Sequence, residues 1–209
     1  MKYICYTHVD SKTGVPTTQA PAKNGPRFPA VAGLELLFAE ESRYPTDAPV
    51  FYGVCPDDSD ISVPGVLGAL TEDAYEFAKQ DELSRRKIRL RRQVDAIRDV
   101  VFFSDVPYLF PGDEVVDVIQ YRDDRDRQNI QDTIIEAMGR PGGDVMSFMP
   151  RGNVPKSMTA AQILDMQAVI DARRVAIYTA AWGKKAEIEQ ADSFDALRMV
   201  DLQAGWPGA

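Results

Sequence analysis

The sequence predicts an α+β fold, in which a small proline-rich β module is followed by a long connecting helix and a C-terminal α+β domain. Residues 1–70 contain eight of the 14 prolines of the chain, which favours short strands joined by rigid turns. Neither proline nor glycine occurs from Thr71 until Pro107, an interval that one helix can span. Strand-like and helical patterns then alternate, which predicts a β-hairpin and a second long helix. The domains are therefore expected at residues 1–70, 71–103 and 104–209.

The N-terminal module is expected to contain three strands, KYICYTHV, GLELLFAE and PVFYGVC. Because proline cannot donate a hydrogen bond to a sheet, the strands between the prolines must be short. Aromatic and β-branched residues in these segments supply the apolar face of a small sheet. The residues expected to form its core are Tyr3, Tyr6, Phe38, Phe51 and Tyr52.

The connecting helix is predicted to begin at Thr71, because Glu72 and Asp73 follow it where a first turn favours negative charge. A length of about 28 residues follows from the absence of helix breakers. Within the helix, apolar residues recur at heptad spacing, interrupted only by Lys87. This heptad stripe consists of Leu83, Leu90, Val94, Ile97 and Val101. Such a helix is expected to pack along a partner helix or against a second copy of itself.

The C-terminal domain is predicted to start with β-rich runs, VVFF from Val100, then PYLF and EVVDVIQYR. The segment DRQNIQDTIIEAMG has a helical pattern that ends at Gly139, and VMSFM is a further extended run. Thr159 and Gln162 have the spacing of a capping box, which opens a helix of about 30 residues. The last predicted helix, SFDALRMVDL, follows Asp192 as its capping residue.

The most charged segment is QYRDDRDRQNIQ, Gln120–Gln131, with three aspartates among three arginines. A calcium loop that began at Asp124 would have Asn129 where the loop requires glycine and Ile135 where it requires glutamate. The calcium interpretation is therefore excluded. Asp123 or Asp124 is instead expected to cap the following helix, with the arginines pairing locally. A polar recognition surface is the alternative for this segment.

No metal and no cofactor is expected. Cys5 and His8 lie on one predicted strand at a spacing that points their side chains to opposite faces of the sheet. The chain has one histidine and two cysteines, which we expect to be reduced thiols. The acidic turn formed by Asp57, Asp58 and Asp60 is expected to be solvated.

The charge of the chain argues against nucleic acid as a partner. The segment SRRKIRLRR, residues 84–92, carries six positive charges, but the net charge of the chain is -8. We expect this segment to face solvent or to contact the acidic C-terminal part of its own chain. No apolar run reaches the roughly 20 residues that a membrane span needs. The first residues, MKYICYTHVD, lack a signal-peptide core, so synthesis in the cytoplasm without a membrane span is expected.

Four motifs in the second half carry a family resemblance, namely IQYRDDRDRQNIQ, TAAQILDMQAV, IYTAAWGKKAEI and SFDALRMVDLQAGWP. With these motifs in this order, the run from Arg91 to Pro207 resembles a domain found at the C terminus of tail-fibre assembly proteins of tailed bacteriophages. The segments FPAVAGLELLFAEE and FYGVCPDD are similar to the front part of small proteins encoded beside phage tail fibres. The resemblance implies a protein that binds the tail fibre or another tail protein. It supplies no catalytic residues.

The resemblance leaves open where such a protein acts. It implies either an assembly factor in the host cytoplasm or a component that is retained in the virion tail, including a part of the baseplate or the receptor-binding apparatus. An enzyme that acts on cell-surface glycans is a further alternative, and it would need two carboxylates about 5 to 10 Å apart. No motif selects such a pair among the 32 acidic residues, so we expect no enzymatic activity.

A homo-oligomer or a complex with a tail protein is the expected state of the chain. The residues expected to mediate these contacts are Leu83, Leu90, Val94, Ile97, Trp182 and Trp206. Trp206 lies close to a chain end and has a large apolar surface, which favours burial only if the tail folds back. We expect it to pack against the helix that spans residues 159–190, near Trp182.

Overall fold

The structure is a computed structural model that describes residues 1–9, 16–17, 29–37 and 50–208, with the backbone alone described for His8, Pro16, Thr17 and Leu36. It combines helices with small antiparallel sheets, which confirms the predicted α+β class. The chain divides into two compact units, Met1–Arg86 and Lys87–Ala209.

The first unit is built on a four-stranded antiparallel sheet. The strands of this sheet are β1 (Lys2–Tyr6), β4 (Glu35–Leu36), β5 (Phe51–Cys55) and β6 (Val66–Leu70). A separate two-stranded pair consists of β2 (His8–Val9) and β3 (Pro16–Thr17). The order of the large sheet is β4-β5-β1-β6, and β2 pairs with β3. Each of the three predicted segments contains a described strand: β1 and β2 lie in KYICYTHV, β4 in GLELLFAE and β5 in PVFYGVC. Strand β6 was not predicted, because its sequence VLGAL contains glycine and follows a proline turn.

The core of the first unit lies on one face of β1. Ile4 and Tyr6 are buried, and they share a face because side chains alternate along a strand. Of the predicted core residues, Tyr6 is confirmed and Phe51 packs against it, with ring centroids 5.7 Å apart. Tyr3 lies on the opposite face, where its ring packs on Tyr75. The prediction for Tyr52 is corrected to a half-buried position, and Phe38 lies outside the described residues.

Helix α1 spans Glu72–Phe102, 31 residues. Thr71 caps its first turn as predicted, since the Ala74 amide donates a hydrogen bond to the Thr71 hydroxyl at 3.2 Å. The predicted strand at VVFF is wrong, because the helix continues to Phe102. The ring of Phe102 packs edge-on against Tyr121 and Tyr178, with centroids 5.6 and 6.2 Å away. These contacts override the preference of valine and phenylalanine for strands.

The second unit contains two β-hairpins and three further helices. Its elements are β7 (Val106–Tyr108), β8 (Asp117–Ile119), α2 (Asp124–Met138), β9 (Val145–Phe148), β10 (Lys156–Thr159), α3 (Ala160–Gln190) and α4 (Phe194–Arg198). Strand β7 pairs with β8, and β9 pairs with β10. Helices α2 and α3 pack against each other. The hairpins and the two helices share one core, whose largest fully buried side chains are Phe110, Ile119, Met158, Ile163 and Met166.

The ends of α3 and α4 follow from local hydrogen bonds. The predicted capping box is confirmed: the Gln162 amide donates to the Thr159 hydroxyl, and the Thr159 amide donates to the Gln162 side chain. The prediction that Asp192 caps α4 is corrected to Ser193, whose hydroxyl accepts from the Ala196 amide at 3.2 Å.

The charged segment supplies the residue that caps the start of α2. The Asp123 carboxylate accepts a hydrogen bond from the Asp126 amide at 2.8 Å, so the predicted N-cap is confirmed at Asp123. We expect Asp123→Ala to lower the free energy of unfolding of the second unit by about 1 kcal/mol, because one amide of the first turn loses its acceptor. Urea denaturation measures the change. Asp123→Asn is the matched control, since asparagine caps equally well. Equal losses in both variants would contradict a capping role.

Candidate functional site

The heptad stripe of α1 is mostly buried within the chain. Val94 has no exposed surface and Leu83 is 6% exposed, while Leu90 and Ile97 are half-buried. In the second unit, α3 runs antiparallel to α1. The Lys87 ammonium donates a hydrogen bond to the Glu189 carbonyl at the end of α3, whereas Arg98, further along α1, lies over the ring of Tyr178, which comes earlier in α3. Because Val94 has no exposed surface, a partner cannot contact it in this structure. Binding through this stripe therefore stays a prediction.

Basic residues of α1 contact the acidic end of α3, as expected from the sequence. The ammonium of Lys87 donates to the Glu189 carbonyl at 2.7 Å, and Arg91 lies 3.6 Å from the Glu189 carboxylate. Lys185 of α3 in turn binds Asp95 at 2.6 Å, and this hydrogen bond lowers the pKa of the Asp95 carboxyl. These contacts confirm the expected pairing with the acidic part of the same chain.

The chain end folds back onto α3, as expected for Trp206, but its ring lies at Lys184 and not at Trp182. Trp206 is 6% exposed and its indole N–H donates to the Leu202 carbonyl at 2.8 Å. Its neighbour on α3 is Lys184, whose ammonium lies 5.8 Å from the ring centroid and donates to the Asp201 carbonyl at 2.6 Å. Trp182 is instead 66% exposed, and its ring lies 6.1 Å from that of Tyr178. Of the two tryptophans, only Trp182 offers its side chain to a partner.

A polar groove lies between α2 and β9, with a volume of about 350 Å³. One wall is a single face of α2, because its lining residues are spaced three and four positions apart. The other wall is formed by the end of β9 and by Met149, which follows it. The lining residues are Gln120, Asp126, Asn129, Ile130, Thr133, Ser147, Phe148 and Met149. Four of these eight residues belong to the charged segment 120–131, so part of that segment lines a cleft in addition to capping α2.

Arg122 organises the charged end of the groove. Its guanidinium donates to the Asp126 carboxylate at 2.9 Å and to the Gln120 side-chain oxygen at 3.0 Å. The hydrogen bond from Arg122 holds the pKa of the Asp126 carboxyl below its usual value, so this group is ionised at neutral pH. Asp126 is the one carboxylate that lines the groove. A paired and ionised carboxylate is suited to fixing the shape of a binding surface.

Strand β9 lines the groove and has one edge that lies outside the described pairings. Strand β9 pairs with β10 on one side, and no described strand pairs with its other edge. Backbone amides and carbonyls on a free strand edge can pair with an extended chain, and neighbouring side chains then select among partners. The groove combines such an edge with amide, hydroxyl and apolar groups. This arrangement suits an extended peptide segment.

A second depression of about 540 Å³ lies beside the β7–β8 hairpin. It contains Asp113, Glu114 and Asp117, but Lys156 pairs with Asp113 at 2.7 Å. Among the described residues, no group of three or more histidine, cysteine or acidic side chains is arranged to hold a metal ion. The turn with Asp57, Asp58 and Asp60 is exposed, as expected.

Cys5 is half-buried and Cys55 is buried, and both are free thiols. The side chain of His8 lies outside the described residues, so its direction relative to Cys5 is not defined. In the part of the chain that the structure describes, no helix has the length and apolar character to cross a membrane.

The sequence did not indicate that Ser147, Phe148 and Met149 join the charged segment in one groove. Fifteen residues separate Gln131, the end of the charged segment, from Ser147, and only the packing of β9 beside α2 unites the two parts. The polar recognition surface left open for residues 120–131 is the sequence signal closest to this site.

No curated protein and no solved structure is significantly similar to the chain. One family model matches residues 85–202, which is more than half of the chain and includes both walls of the groove, α3 and α4. The chain therefore belongs to the family described as Domain of unknown function (DUF4376).

Proposed function

We propose that this protein is a non-enzymatic, tail-fibre-associated protein of a tailed bacteriophage, which binds the fibre as an assembly chaperone or adaptor. The proposal rests on the resemblance of the four quoted motifs, and the observation that best supports a binding role is the groove beside the open edge of β9. The description of the matching family states no function.

The groove fits the physical problem of fibre assembly. Fibre chains that pair strands over long distances and between subunits fold slowly, and they expose unpaired strand edges while they do so. In our proposal, an extended fibre segment adds to the free edge of β9, while Asn129, Thr133 and Ser147 bond its polar groups. Such a complex would shield the segment from aggregation until its own partners are available.

The lining of the groove argues against glycan hydrolysis. That chemistry requires a carboxylic acid and a second carboxylate on opposite sides of the scissile bond. The groove has one lining carboxylate, Asp126, which is ion-paired with Arg122. Binding without catalysis is therefore the function that we propose for it.

The proposal predicts that filling the groove weakens fibre binding. Asn129→Arg and Thr133→Arg together would place two long side chains in the cleft, and we expect at least about tenfold weaker binding, a loss of one or two good contacts. The measurement is titration of the purified full chain with a fragment of the fibre from the same phage. Gln131→Arg is the matched control, because Gln131 is exposed on α2 and does not line the groove.

Two outcomes would overturn the proposal. One is a wild-type chain that binds no fragment of the fibre, and the other is a double variant that binds as tightly as the control. Mass spectrometry of purified particles separates the two forms of the function. Absence from particles together with fibre co-purification from lysates supports an assembly chaperone, and stoichiometric presence supports a component of the virion tail.

A further inference from the structure

Helix α3 carries a second apolar face, opposite to the one it buries. The buried face includes Ile163, Ile170, Ile177 and Ile188. On the other side, uncharged residues alternate at spacings of four and three positions, which is the heptad spacing of a coiled coil. We name this surface the α3 seam; it consists of Ala168, Ala172, Val175, Thr179, Trp182 and Ala186, flanked by Val169, Ala176 and Gly183.

All nine of these positions are exposed to solvent. Trp182 and Val175 are 66% and 61% exposed, so the seam presents large apolar groups and not only small ones. From Ala168 to Ala186 it extends about 27 Å along the helix. An exposed tryptophan in a continuous uncharged stripe is typical of an interaction surface.

The seam is complementary to itself in the antiparallel direction. When two copies of α3 are aligned antiparallel about the level of Ile177, Trp182 of each copy lies opposite Ala172 of the other. Val175 then lies opposite Thr179, and Ala168 opposite Ala186. Each layer pairs an a position with a d position, as antiparallel coiled coils do. The layer of Trp182 and Ala172 combines a large side chain with a small one, and the other two layers combine side chains of similar size. The small flanking residues Ala176 and Gly183 allow the two backbones to approach closely.

The charges beside the seam include one opposite pair in this alignment. Asp171 of one copy falls near Lys185 of the other, whose ammonium also binds Asp95 of its own chain at 2.6 Å, and the twofold symmetry repeats this arrangement. Acidic residues bound the seam at both ends, where Asp165 would approach Glu189. Within its own chain, Arg91 lies 3.6 Å from the Glu189 carboxylate and offsets that repulsion.

We propose that the α3 seam is a self-association surface, whose occupant is the α3 seam of a second copy of this chain in antiparallel orientation. This inference is independent of the fibre-binding groove, which uses α2 and β9. In this dimer, Trp182 is the main apolar contact residue, and its side chain packs against Ala172 of the other copy.

Sedimentation equilibrium of the full chain over a range of concentrations tests the proposal. We expect a dimer for the wild type, and we expect Trp182→Glu to raise the dissociation constant at least about thirtyfold, as for a central interface anchor. The matched control is Phe77→Glu, because Phe77 is 77% exposed on another helix and should leave the dimer unchanged. Circular dichroism of each variant verifies that it is folded.

Oxidative cross-linking tests the orientation. Two copies of residue 176 lie side by side across the twofold axis, so we expect Ala176→Cys to form a disulfide-linked dimer. Ala161→Cys is the control on the same helix, because antiparallel copies of that residue would be about 48 Å apart. A wild-type monomer at all concentrations, a dimer indifferent to Trp182→Glu, or equal cross-linking at positions 176 and 161 would each overturn the proposal. Capture of a different protein by the seam, in place of a second copy, would also overturn it.

Discussion

Replacing Val94 with aspartate is expected to unfold the second unit of this protein. Val94 has no exposed surface, and it lies between Lys87, which donates to the Glu189 carbonyl of α3, and Asp95, which accepts from Lys185 of α3. A carboxylate at this position would be buried without a counter-charge, at a cost of several kcal/mol. Because domains of this size are stable by only about 5 to 15 kcal/mol, the variant should lose most of its folded population. Circular dichroism, urea denaturation and limited proteolysis measure the loss.

Val100→Asp is the matched control for this experiment. It makes the same change on the same helix, but Val100 is 73% exposed, so we expect an effect within about 0.5 kcal/mol. Val94→Ala supplies an intermediate case, with a loss of roughly 2 kcal/mol from the missing methyl groups and the resulting cavity. If Val94→Asp retained the wild-type unfolding midpoint, the heptad stripe would not be part of the core. It would then be available to a partner, as the sequence first indicated.

Replacing Trp206 with alanine is expected to lower the melting temperature of the second unit by roughly 6 to 12 °C. The indole is 6% exposed, and its burial contributes about 2 to 3 kcal/mol. The substitution also removes the hydrogen bond to the Leu202 carbonyl and the ring beside the ammonium of Lys184. Lys184 is 8% exposed in the wild type. In the variant it would keep its hydrogen bond to the Asp201 carbonyl, but its ammonium would become more exposed to solvent. Thermal denaturation followed by circular dichroism measures the shift.

Met199→Ala is the control for the tail. Met199 is a large apolar residue in the same terminal segment, but it is 83% exposed and should leave the melting temperature nearly unchanged. Any weakening of fibre binding by Trp206→Ala should follow the loss of folded protein and disappear at low temperature. A Trp206→Ala protein that melts as the wild type does would show that the tail is not held by its tryptophan.

The features that the sequence predicted correctly are those decided within a few residues. The capping boxes and caps at Thr71, Asp123 and Thr159 each join side chains and amides three positions apart, so the residues that form them are visible as a motif. The α+β class and the length of α1 follow from the distribution of proline and glycine, and α3 follows from its capping box and the spacing of its apolar residues. The buried end at Trp206 followed from the cost of exposing an indole beside a helix that could cover it.

The errors occurred where local preference and tertiary packing disagree. Residues 100–102 have strand-forming side chains, but α1 continues through them because Phe102 packs between Tyr121 and Tyr178. Strands β6 and β10 were not predicted, because glycine in the one and polar residues in the other weaken the alternating pattern. The groove joins the charged segment to β9, and no periodicity records which segments become neighbours.

Helix α3 shows most clearly what the sequence alone determined and what only the tertiary structure decided. The sequence determined its start, its length and the presence of two apolar stripes, since each depends on residues within the helix itself. It could not determine that the stripe with Ile177 and Ile188 is buried, or that the stripe with Val175 and Trp182 faces solvent. The same holds for α1, where the heptad spacing of Val94 signalled a partner helix without identifying it. Burial is a relation between segments far apart in the sequence, so the choice of face, and with it the surface left for a partner, is made only when the segments pack.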